Sequence, residues 1–252
     1  MNPILKALII TSIAGLSTII GSLLGLIPKK INDKFFSFSL GFTAGVMIGI
    51  SFLELLPTGI EEVGFLKANI AFFIGFMVMF AIDHFVPHEY KGQKDGIKPG
   101  TDEKLLRAGL FVALGIGIHN FPEGMATFYS SLLDIRVGIA IAIAIAIHNI
   151  PEGLAVSTPI YKATGNKKKA FLWSFFSGLA EPVGAGITAL FLLPFLTPQI
   201  LGYLLAGIAG IMVFISIDEL IPVSRDYGFD HAPVVGFIAG MVIMSLSLLL
   251  LQ

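Results

Sequence analysis

Ala44-Gly45-Val46-Met47-Ile48-Gly49-Ile50-Ser51-Phe52-Leu53-Glu54-Leu55-Leu56-Pro57 returns later in the same chain as Ala209-Gly210-Ile211-Met212-Val213-Phe214-Ile215-Ser216-Ile217-Asp218-Glu219-Leu220-Ile221-Pro222. Ala, Gly, Met, Ile, Ser, Glu, Leu and Pro recur at matching places with one constant offset. Chance repetition of apolar words does not align a serine, a glutamate and a proline together. A fainter echo at nearly the same offset pairs 73–78 with 237–242. The chain is therefore read as two related halves around a middle.

Composition says what those halves are made of. Of the 252 residues, 55% are hydrophobic and 13% charged, with mean hydropathy +0.88. A soluble domain carries about 25% charged residues, so this composition is that of an integral membrane protein. A helix crossing the bilayer needs about 20 apolar residues. Eight stretches qualify, at approximately 5–27, 36–56, 69–88, 105–128, 135–158, 170–193, 200–221 and 232–251. They make one transmembrane domain (1–252), with the largest loop at about 89–104. The first stretch is too long, and lacks the small-residue site, for a cleaved leader. Cysteine is absent, which excludes disulfides and thiolate chemistry.

The copies fall in spans two and seven, and an odd difference in span number makes them cross in opposite directions. The predicted fold is an all-α membrane protein of eight helices in a 3+2+3 inverted repeat, a plan many secondary transporters use. With both termini outside, only Lys6, Lys67 and Arg136 of the 16 lysines and arginines face outward, so the positive-inside rule favours that orientation in a cell membrane. The run 139–147 alternates isoleucine and alanine like a strand. A lone strand cannot satisfy its backbone in lipid, so it is read as helix.

Spans four and five carry a second duplication, His119-Asn120-Phe121-Pro122-Glu123-Gly124 and His148-Asn149-Ile150-Pro151-Glu152-Gly153. Ionisable groups at mid-membrane cost roughly 2.5–3.5 kcal/mol each on insertion scales and mark function. His119 and Glu123 stand four residues apart, as do His148 and Glu152, so each pair shares one helix face. Asn120 and Asn149 sit beside those faces. The prolines free carbonyls one turn back, and the glycines are read as adding flexibility. Glu181, before Pro182 in span six, brings a third carboxylate. Imidazole, carboxylate and amide oxygen together suit a divalent metal: zinc, ferrous iron, manganese, cobalt or cadmium. The ions would be transported substrate, one or two at the centre, with no organic cofactor. Met47 reads first as core packing.

The span ends add stations on either side. Glu54 lies near the outer end of span two; Asp218 and Glu219 lie near the inner end of span seven, with Asp83 and His84 ending span three. They are read as capture and release points. Glu61, Glu62, His88 and Glu89 are read as facing water, and His231 and 162–169 as ordinary loop.

The paired His-Asn-x-Pro-Glu-Gly phrase resembles the signature of the ZIP family of zinc and iron transporters, nearest its bacterial GufA-type and zinc-uptake branch. The likeness covers all eight spans. It implies uptake of divalent metal through a two-metal centre between spans four and five. Its ligands would be His119, Asn120, Glu123, His148, Asn149, Glu152 and Glu181, with Met47 added. It further implies that spans one, four, five and six slide against two, three, seven and eight, commonly in a homodimer, with Asp83, His84 and Glu219 on the inner release path. One departure is the loop after span three, which lacks the histidines many members carry there. The partners expected are metal ions and the lipid bilayer, with no nucleic acid. An enzyme is not expected: His-Glu-x-x-His and Glu-x-x-His are both absent. A metal-selective channel built on the same centre is the alternative, and residues alone leave flux direction open.

Overall fold

The computed structural model describes residues 2–29, 31–85 and 101–251. Among them all regular structure is helical, and eight helices are long and apolar enough to cross a membrane. They are span one (Pro3–Leu26), two (Asp33–Val63), three (Phe65–Phe85), four (Glu103–Leu133), five (Ile135–Thr164), six (Lys167–Phe195), seven (Pro198–Arg225) and eight (Ala232–Leu250). The alternating run 139–147 is helical inside span five. His88, Glu89 and most of the loop about 89–104 lie outside the described residues.

Local chemistry starts and stops these helices. Side-chain oxygens of Asn2, Asn32, Asp134, Asn166 and Thr197 accept from the first free backbone N–H groups of spans one, two, five, six and seven. Gly64 (φ 85°) and Gly165 (φ 65°) close spans two and five in the left-handed region that favours glycine. Span one is interrupted at Ser17, whose hydroxyl donates to Ala14 O at 2.6 Å.

Three wide π-helical turns, Ser51–Leu55, Thr188–Leu192 and Ser216–Leu220, each end one residue short of an aliphatic–proline step: Leu56-Pro57, Leu193-Pro194 and Ile221-Pro222. A proline ring clashes with the carbonyl four residues back, and widening the preceding turn removes the clash. Glu54 and Glu219 both ride on such turns.

Two groups of helices emerge from the packing. Span two lies along span eight and span three along span seven; spans one, four, five and six pack on one another. Span two against five and span four against seven make the main contacts between the groups. Lipid supplies no hydrophobic drive between helices, so close backbone approach must hold them. Glycine allows it. A Cβ on Gly45 would come within 2.1 Å of Phe237 O, and on Gly210 within 1.9 Å of Phe72 O. Gly240 meets Phe42 O at 2.1 Å and Gly75 meets Gly207 O at 2.0 Å in the same sense. These four contacts form two pairs related by the repeat's offset.

Candidate metal centre

Spans four and five bring the duplicated phrases face to face. His119 Nε2 of span four lies 3.1 Å from Glu152 Oε1 of span five, and His148 Nε2 of span five lies 3.0 Å from Glu123 Oε1 of span four. The pairs cross: each imidazole meets the carboxylate of the other copy. His148 Nδ1 is fixed by Ala144 O at 3.1 Å, one turn back, which aims Nε2 into the centre. Glu181 joins through Asn149, whose amide donates to Glu181 Oε2 at 2.8 Å and to Ala14 O of span one at 3.0 Å. Asn120 donates to Ser177 O of span six at 3.3 Å.

All these side chains are sealed from solvent; Glu123, at 2% exposed, is the least buried of the seven. No lysine or arginine among the described residues pairs with the three carboxylates. Burial also leaves donors over. Apart from the crossed pairs, His119 Nδ1, Asn120 Oδ1, Glu123 Oε2, Asn149 Oδ1, Glu152 Oε2 and Glu181 Oε1 have no hydrogen-bond partner. Such buried orphans are rare in a folded protein and each costs about 1–3 kcal/mol. Both amides spend their N–H groups on helix carbonyls or Glu181 and turn their oxygens free. The leftover set is imidazole nitrogen, carboxylate oxygen and amide oxygen, the donors a borderline dication accepts.

Similarity to other proteins is an observation independent of this geometry. Residues 91–248 match the family described as ZIP Zinc transporter. The chain is 50% identical to the zinc transporter ZupT of Chlorobium phaeovibrioides, with 100% of both chains covered. It is 48% identical to the protein of that name from Clostridium perfringens (99% and 97% covered) and 49% identical to that from Streptococcus mutans (97% and 97%).

The chain belongs to the ZIP family.

It is therefore a multi-pass membrane protein of a transporter family, not of an enzyme family. The ZIP phrase also explains its own glycines, though not as read from sequence. A Cβ on Gly124 would strike Glu181 O at 2.0 Å, and one on Gly153 would strike Thr18 O at 1.9 Å. They admit spans six and one against the centre rather than loosening the helix. Spans four and five also stay helical through Pro122 and Pro151.

The remaining expected residues separate into two places and two outliers. Met47 is fully buried in an apolar cluster with Ile50, Met79 and Met212. Asp83, Asp218 and Glu219 each offer an oxygen within 4.8 Å of the others. His84, expected beside them, is exposed and stacks on Phe80 with ring centroids 6.3 Å apart. Glu54 is exposed on its wide turn and joins neither group.

Basic side chains hold what sequence reading missed. Arg107 Nη2 lies 3.0 Å from Asp83 Oδ1, and Lys104 Nζ lies 2.9 Å from Asp226 Oδ2. Lys162, read as loop, ends span five, pairs with Asp33 and lies 4.6 Å from the Tyr227 ring centre. In the sequence each is only a charge that helps set orientation; opposite charges on distant segments give no spacing signal.

Proposed function

We propose that this chain carries Zn²⁺, or a similar divalent ion such as Fe²⁺, Mn²⁺, Co²⁺ or Cd²⁺, into the cytoplasm through the centre between spans four and five. The crossed His–Glu pairs, buried with six orphaned donor atoms, carry this reading. His119, Asn120, Glu123, His148, Asn149, Glu152 and Glu181 hold the ion or ions; Met47 is included on its place in the family pattern. Glu123, with Oε1 facing His148 and Oε2 unclaimed, is the natural bridge if two ions bind.

Transport proceeds by alternating access. Spans one, four, five and six move as one group against two, three, seven and eight, in keeping with the packing of the two groups. The paired glycine contacts support an inverted repeat in the second group. Both termini face outward, Glu54 lies at the outer mouth, and Asp83, Asp218 and Glu219 lie on the inner release path. A homodimer completes the assembly, checked by mass measurement of the purified protein in detergent.

The test is ⁶⁵Zn uptake into proteoliposomes. Glu123→Gln and Glu152→Gln are expected to abolish it while the protein stays monodisperse and helical. Undiminished uptake in both would remove the central site. Saturation at carrier-like turnover is expected; channel-like rates would replace alternating access by conduction through the same centre.

A further inference from the structure

Asp83 of span three and Asp218 and Glu219 of span seven form a nest whose oxygens lie within 4.8 Å of one another. Glu219 is only 9% exposed, and among the described residues it makes no hydrogen bond of its own. Three carboxylates so close repel one another unless a cation sits among them. Among the described residues Arg107 reaches the nest, its guanidinium 3.0 Å from Asp83, and Lys104 of the same span also acts on Glu219. Arg107 comes from span four, in the helix group that holds the central site, whereas the nest belongs to the other group. Lys104 ties the same end of span four to Asp226 just beyond span seven. That pair is largely exposed and holds little by itself.

We propose that Arg107 is a tethered competitor of the transported ion: it closes span four onto spans three and seven through the acidic nest, and an arriving dication displaces it. A dication is drawn to three carboxylates more strongly than a single delocalised positive charge is. Once the ion binds there, Asp83 is taken, span four loses its hold, and the two groups can part. When the ion leaves, the nest is again unbalanced and Arg107 returns. The nest thus couples release of cargo to opening and reclosing of that end. This rests on the transport reading above, but its test is separate.

Zn²⁺ is titrated by calorimetry into purified full-length protein carrying Glu152→Gln, which weakens the central site and leaves the nest whole. Adding Arg107→Gln is expected to tighten a binding event by about tenfold. Adding Glu219→Gln as well is expected to remove that event, and Arg107→Lys, which keeps a charge, to fall between. An unchanged or weaker affinity in Arg107→Gln, or a gain that survives Glu219→Gln, overturns the proposal. The absence of native cysteine permits a second readout. With spin labels at Glu103→Cys and Asp230→Cys, Zn²⁺ should lengthen the distance when Arg107 is present. In Arg107→Gln the longer distance should already prevail without metal, and identical distributions in both overturn the latch. Undiminished uptake by both Glu123→Gln and Glu152→Gln would instead sink the transport reading and leave these titrations to stand on their own.

Discussion

At the residue scale, Asn149 shows how a neutral side chain organises a charged site. Its amide nitrogen serves Ala14 O and Glu181 Oε2, so its oxygen is the only end left for an ion. Asn149→Ala leaves both acceptors without their donor, at a cost of roughly 1–3 kcal/mol. Both a lower melting temperature in detergent and Zn²⁺ affinity reduced more than tenfold are expected. Met47 asks the opposite question, because packing and ligation predict different losses. Met47→Leu nearly conserves volume and should cost under about 1.5 kcal/mol as a core change. If the thioether binds metal, Zn²⁺ affinity should fall about tenfold with the melting temperature almost unmoved. Equal affinity would assign Met47 to packing alone. The central ligand candidates were legible because a spacing of four residues fixes a helix face before any tertiary contact exists. The crossed pairing was not legible, since nothing in one helix says which copy's carboxylate its imidazole meets. Arg107 was invisible for the same reason.

At the element scale, the motif glycines are conspicuous in the sequence but easily misread. Flexibility is a local inference from missing Cβ, but the deciding fact is a carbonyl from another span, which no local rule contains. Substitution separates the two ideas. A methyl on Gly153 meets backbone, Thr18 O at 1.9 Å, and no rotamer change can move it aside. Gly153→Ala should therefore lower the melting temperature and reduce uptake, despite alanine's better helix propensity of about 1 kcal/mol. Gly186 in span six has nothing within 4 Å of where a Cβ would stand, so Gly186→Ala should leave stability equal or higher. Comparable losses at both positions would mean that chain flexibility, not close approach, is what the motif glycines supply. The wide turns tell a similar story. The aliphatic–proline steps are plain in the sequence, yet a proline announces only that the preceding helix must adjust. Widening the turn, rather than breaking it, leaves Glu54 and Glu219 on continuous helices.

At the scale of the whole molecule, hydropathy located eight spans because lipid imposes a length that sequence must meet. Span ends extended beyond the apolar runs, as in Asp33–Val63, where capping residues and polar turns continue the helix into water. How the spans group was harder to read, since helix partners are chosen by small residues meeting distant carbonyls. Orientation rests on a different physical term, the cost of moving basic loops across the bilayer. It has its own test. Lys67, in the first turn of span three, and Asp230, between seven and eight, are both exposed and should lie on opposite sides. Because the chain has no cysteine, single replacements Lys67→Cys and Asp230→Cys report without background. In intact cells a membrane-impermeant maleimide should label Lys67→Cys directly and Asp230→Cys only after permeabilisation. The reverse pattern would invert the protein, placing the Arg107 nest at the outer face and turning the release path into a capture path. Labelling of both in intact cells would mean that the number of crossings between them is even, which the five spans three to seven forbid.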